Sequence, residues 1–366
     1  MSWEDPVFPA VMENLAIEGK NMLLFIKYHQ PLKLTVRTTG PGLLILLCLL
    51  IGFPLTAQSE DEYRVRWINT YPPEKGENKP SFGDRVSRLV FGKKPREIIK
   101  PFNVLANDPQ KFWILDQGAG EVFEVNEGKV SNISSSRKVD QRYPSLVGIC
   151  RSKEGDLLFT DSRLNRVIRN NGDQLGIFGD SLRPDQPTGI ACDPQSGDIW
   201  IVETASHRLS RYTGEGKLIQ ELGGRGTGPG QFNFPTFIWI DREGRIYVVD
   251  SMNNRIQIFD REGDFLCCFG EPGDATGYLA RPKGIATDSR GHVYVADALF
   301  HAVQIFDRQG RFLYSFGNQG QDHGEFWLPA GIYIDEKDYI YVADSYNARV
   351  QIFKLEKNDH EKNTGI

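Results

Sequence analysis

Two histidines stand at matching places in this chain: His207 lies four residues after Glu203, and His301 four residues after Asp297. Paired imidazoles invite a zinc reading, but zinc takes three protein ligands when catalytic and four when structural. The place that symmetry would offer for a third, four residues after Asp116, holds Gly120. No metal is therefore expected, and the pair reads first as turn residues and second as polar contacts on a binding face. The acids themselves form a longer series: Asp116, Asp161, Glu203, Asp250, Asp297 and Asp344. Carboxylates at tight bends accept hydrogen bonds from nearby backbone N–H groups. Arg166, Arg208, Arg255 and Arg349 follow five residues later as natural partners. A feature present in every copy of a series is read as scaffold, not as a cation ring.

The elements that carry these residues come from the spacing. The six acids are 45, 42, 47, 47 and 47 residues apart, a period typical of propellers and solenoids. The clearest unit reads 236–240, 246–250, 255–259 and 264–269, four short runs rich in β-branched and aromatic residues. Asp/Gly turns at 241–244 and 260–263 and the connector 251–254 separate them, as in one antiparallel blade. No window shows a sustained helical period, which speaks against helical solenoids. The last copy stops after its third strand at Phe353-Lys354-Leu355, while Ser87-Arg88-Leu89-Val90-Phe91-Gly92 resembles an unpaired fourth strand. Donation of that N-terminal strand to the last blade would join the chain ends and remove a sheet edge. The expected fold is all-β: a closed ring of six four-stranded antiparallel blades over residues 86–355.

The units share a Pro-x-Gly-Ile start, the acidic end of strand two and an Asn-x-Arg-(Val/Ile)-Gln-(Val/Ile)-Phe third strand. With the Gly-rich connector 223–232, these features resemble the NHL-repeat family, most clearly in the last three copies. Ala119-Gly120-Glu121 and Leu146-Val147-Gly148 depart from the pattern. The resemblance implies a six-bladed propeller but a wide choice of functions, among them lyases, ligand binders, RNA binders and protein-interaction modules.

In such a ring the connectors into strand one and the turns between strands two and three converge at one channel mouth, the default binding site. The residues after the repeat's proline position are Phe102, Val147, Thr188, Thr236, Lys283 and Ala330. The resemblance implies zinc-binding histidines here for amidating lyases, and inward carboxylates for calcium-holding lactonases; this set has neither. No cofactor is expected. Lys283 is its one charged member, either a solvated rim lysine or a contact for a carboxylate or phosphate. The binding residues proposed from sequence are Lys283, Thr236, Thr188, His207 and His301, with no catalytic residue assigned. Cys150 and Cys192 fall out of step in neighbouring inner strands, which argues against a disulfide. Asn132-Ile133-Ser134 fits a glycosylation acceptor.

The N-terminal residues 1–57 read as an extension plus export signal: an apolar run at 43–53, preceded by Lys27, Lys33 and Arg37 and followed by Pro54 and Ala57. Cleavage near Ala57 is expected, and translation could start at Met1 or Met22. The run is shorter than the roughly 20 apolar residues of a comfortable bilayer span. An uncleaved anchor over 43–55 remains the alternative and the one membrane contact foreseen. Residues 58–85 read as a polar linker with a strand-like patch at Val65-Arg66-Trp67-Ile68, and 356–366 as a charged tail. A formal net charge of −5 gives no basic face for phosphates, so no nucleic-acid partner is expected.

The function expected is an exported, periplasmic or secreted, non-enzymatic propeller that binds a protein or small-molecule ligand at its channel mouth. The alternative is a lactonase-like or amidating-lyase-like enzyme with a site in the irregular stretches 111–120 and 140–151. A third reading, an NHL interaction or RNA-binding module, conflicts with the export signal and the acidic balance.

Overall fold

The computed structural model describes residues 17–18, 21–22, 63–73, 98–133, 143–172, 174–179 and 182–357. Six four-stranded antiparallel sheets make the blades of a propeller. Blades I to V run in chain order from inner to outer strand, their inner strands being Pro101–Asp108, Leu146–Arg151, Pro187–Cys192, Pro235–Ile240 and Pro282–Thr287. Blade VI begins with Ile332–Ile334, Tyr339–Asp344 and Arg349–Lys357. Its outer strand comes from the N-terminal side of the ring, Tyr63–Tyr71.

Closure by an N-terminal strand is thus as expected, but the donated segment is different. Val65 to Ile68, read as a patch inside a linker, belongs to the closing strand and pairs with the third strand of blade VI from Lys357↔Tyr63 to Val350↔Tyr71. Val65 is buried in the blade V–VI core, and Arg66 donates to Glu356 at 2.6 Å. The segment 87–92 lies outside the described residues, as do the signal at 43–57 and the tail beyond 357.

The repeat residues owe their recurrence to two internal clamps. Tyr247, Tyr294 and Tyr341 are fully buried, and each donates its hydroxyl to the turn acid of its own blade, Asp241, Asp288 or Asp335, at 3.0, 3.2 and 2.9 Å. A buried tyrosine is tolerated because that hydroxyl finds an acceptor. Gln257, Gln304 and Gln351 each accept a glycine N–H of the connector, from Gly230, Gly277 and Gly324, and so anchor it to the third strand.

Close packing of the six inner strands explains the repeat glycine. A Cβ on Gly148 would sit 2.4 Å from Thr188 O, on Gly189 2.8 Å from Thr236 O, and on Gly284 2.5 Å from Ile332 N. No side chain fits so near the next blade's backbone. The same place holds Asn103 in blade I and Phe237 in blade IV, which lie on opposite sides of the ring.

Candidate functional site

The acids that end strand two are scaffold. All six are fully buried. Asp116 accepts the N–H groups of Ile99, Lys100 and Ala119, and Asp297 those of Ala280, Arg281, Leu299 and Phe300. Arg208, Arg255 and Arg349 pair with the acids of their blades at 2.9, 2.8 and 2.7 Å. The expected fourth pair departs from this: Arg166 is exposed, and Asp161 is served by the backbone of Ser145, Arg163 and Leu164.

The two histidines share one local task. Each sits in the left-handed region, at φ 54° and 53°, where it turns the chain into strand three. His207 Nδ1 accepts the N–H of Phe234 at 3.0 Å, and His301 Nδ1 that of Leu328 at 3.1 Å, so each fastens the connector entering the next blade. Desolvation holds the His301 imidazole below its usual pKa. Among the described residues no three His, Cys, Asp or Glu side chains gather at one point.

Thr188 is linked through Thr204 to the next blade, and Thr236 is held within its own. Thr188 Oγ1 meets Thr204 Oγ1 at 2.7 Å, Thr204 donates to Pro235 O at 2.7 Å, and Thr236 meets Ser251 at 2.6 Å. Lys283 differs from them. It is half-buried and has no carboxylate partner among the described residues. Burial, with the charges of Arg281 and Lys100 nearby, pushes its amine down to about 8. All five residues lie at the connector end of the ring.

The cavity lies at the other end of the channel. On opposite blades, Phe102 and Phe237 stack at 5.7 Å between centroids and 28° between planes, spanning the axis below the connector face. Beyond them a cavity of about 910 Å³ reaches the face of the strand one-to-two turns, with all six inner strands in its wall. That volume falls within the range of small-molecule sites. Trp239 of blade IV crosses blade V, donates Nε1–H to Thr287 Oγ1 at 2.9 Å, and meets Tyr333 of blade VI edge to face at 5.3 Å. At the rim Arg242 donates to Glu336 O at 2.9 Å, so blades IV and VI are linked over the mouth.

The wall mixes apolar side chains with polar ones, among them Asn103, Arg151, Lys153, Asp241 and Asp335. Asp241 and Asp335 are engaged by turn N–H groups and buried tyrosines. Cys150 and Cys192 are free; burial raises the Cys150 thiol well above its ordinary value and the Cys192 thiol to about 11. Both are protonated at neutral pH, the opposite of an activated thiolate. Burial likewise raises Tyr333 to about 12. Arg151 stacks its guanidinium 4.5 Å over the Trp113 ring and has no carboxylate partner among the described residues.

None of the five residues proposed from sequence lines this cavity. Trp239 and Tyr333, two places past the glycine position, were missed because the repeat varies there, whereas Arg151, three places past it, ends the stretch 140–151 read as the alternative site. The available signal was that variation: an aromatic residue or a cation in inner strands that otherwise carry small aliphatic residues.

The DUF5128 six-bladed beta-propeller family model matches residues 194–274 and 281–364. No curated protein matches the sequence. Among solved structures, the chain is similar to a catalytically inactive virginiamycin B lyase from Staphylococcus aureus with quinupristin, at 17% identity and TM-score 0.53, covering 81% of this chain and 100% of that one. An auxiliary nutrient binding protein from Bacteroides thetaiotaomicron matches at 14% identity and TM-score 0.55, covering 70% of this chain and 69% of that one. A gluconolactonase from Xanthomonas campestris matches at 13% identity and TM-score 0.55, covering 80% and 90%. Likeness at these identities speaks for the six-bladed propeller fold.

Proposed function

We propose that this chain is an exported NHL-type propeller that binds a small organic anion in its channel cavity. The observation that carries this reading is the make-up of the wall, where an edge-to-face Trp239–Tyr333 pair stands in one cavity with the unpaired guanidinium of Arg151. Aromatic faces take up the planar or apolar body of a ligand, and a guanidinium recognises a carboxylate or phosphate by paired N–H donors. Both cavity thiols are held protonated and no acid in the wall is unengaged except at the exposed rim, which favours binding over chemistry.

The test is thermal shift and tryptophan fluorescence against aromatic and aliphatic carboxylates and their amides. A carboxylate should raise the melting temperature and quench fluorescence. The amide should bind at least about tenfold more weakly, and Arg151→Gln should remove that preference. Equal binding of acid and amide would overturn the anion reading. Turnover of lactones, esters or hydroxyglycine peptides would overturn the binder reading in favour of an enzyme.

A further inference from the structure

The connector face carries a second set of residues that the scaffold does not use. Exposed large apolar side chains occur there at Ile99, Leu299, Trp327 and Tyr346, with relative exposures of 56, 55, 40 and 53%. These four belong to blades V, VI and I, which are consecutive around the closed ring, and Phe234 and Met252 of blade IV are exposed on the same face. Trp327 and Tyr346 form one aromatic surface: their ring centroids are 5.9 Å apart, and Tyr346 N–H donates to Trp327 O at 3.1 Å. Lys100 Nζ lies 5.1 Å over the Tyr346 ring, bringing a cation of blade I onto the aromatics of blade VI.

The charge around Lys283 is of one sign, while the exposed carboxylates Glu271, Asp274 and Asp322 stand in the connectors that lead into blades V and VI. Lys100, Arg281 and Lys283 form no ion pair among the described residues. Arg281 is exposed, Lys283 is half-buried nearer the axis, and Arg281 and Lys100 are both close enough to act on the Lys283 amine. The acids beneath them, Asp116, Asp297 and Asp344, are fully buried and engaged by local donors, so they neither reach the surface nor pair with these cations. Glu325, in the connector leading to blade VI, is held by Asp322 N–H and the Asn318 amide. An apolar patch beside unpaired cations suits a partner that is both apolar and acidic.

We infer that blades V, VI and I form a docking surface for an acidic protein segment. An aromatic or aliphatic side chain of the segment would lie on Trp327 and Tyr346, and its carboxylates would meet Lys100, Arg281 and Lys283. An extended chain is favoured over an anionic membrane because Lys283 stands half-buried on an inner strand. A narrow segment can enter the channel mouth to reach it, and a flat surface cannot. This inference uses the opposite end of the ring from the cavity and stands independently of the cavity ligand.

The experiment measures fluorescence anisotropy of a labelled peptide of alternating Glu and Phe, its Gln/Phe counterpart, and phosphatidylserine vesicles, each with the full chain. The acidic peptide should bind, lose affinity as salt is raised, and exceed the Gln/Phe peptide by about tenfold or more. Lys100→Gln with Arg281→Gln, and separately Tyr346→Ser, should each weaken it by about tenfold. Leu218→Ser, in the exposed outer strand of blade III, should leave it unchanged. Equal binding of the two peptides, unchanged affinity in the cation double variant, or preference for the vesicles would each overturn the proposal.

Discussion

Phe102 and Phe237 meet across the channel from opposite blades, with ring centroids 5.7 Å apart. Phe237 occupies the place where four other blades carry a glycine, and Phe102 follows the proline that opens blade I. The pair separates the connector mouth from the cavity, so the two ends of one channel are free to bind different things.

That stack should be measurable as a coupling. Phe237→Ala and Phe102→Ala should each destabilise the fold, the more buried Phe237 by about 3 kcal/mol. A double-mutant cycle in urea should show an interaction of about 0.5–1.5 kcal/mol beyond additivity. Full additivity would mean that the rings do not support one another.

Ring closure depends on Tyr63–Tyr71. Deleting residues 1–62 should leave the melting temperature of the propeller unchanged, whereas deleting 1–72 strips the outer strand from blade VI and should lower it sharply. Val65→Asp places a charge at a position only 5% exposed and should cost about 3 kcal/mol without shortening the chain. Equal melting temperatures for the two truncations would assign closure to another segment.

Lys283 gives stability a distinct pH dependence. Its folded pKa, about 8, lies below the ordinary 10.5, so the folded state disfavours the charged amine. Below pH 8 the amine is charged in both folded and unfolded chains and its burial penalty is fully felt. As pH rises from about 8 towards 10.5 the folded chain loses the proton first, and the penalty is relieved. Lys283→Met should therefore stabilise at pH 7, by about 1–2 kcal/mol, and flatten this part of the profile. Acylation of the Lys283 amine, followed by peptide mass mapping, should rise with a midpoint near pH 8; a midpoint near 10.5 would contradict this burial.

His301 acts in the opposite pH range. Its folded pKa is depressed below the ordinary 6.5, and Nδ1 must stay unprotonated to accept the Leu328 N–H. The contribution is present above the unfolded value and is lost as pH falls through the folded one. His301→Ala should destabilise by about 1 kcal/mol at pH 7.5 and by less at pH 5. A difference that grows on acidification would contradict the acceptor role.

The spacing of Asp116 through Asp344 and the strand-turn grammar around it determined the six blades, because each blade uses only neighbouring residues and repeats the same local solution. The structural task of those acids was legible for the same reason: a residue that satisfies backbone N–H groups in its own blade must recur with the blade. What tertiary structure alone decided is which segment closes the ring and where the channel has room. An outer strand buries one face only, so Val65-Arg66-Trp67-Ile68 and Arg88-Leu89-Val90-Phe91 look equally suited until pairing with Arg349–Lys357 is seen. The cavity depends on Trp239, Tyr333 and Arg151, which come from three blades and touch no common local motif. Their convergence is a property of the closed ring: each inner strand sets the direction of its side chains, but only the circle brings distant strands to face one another.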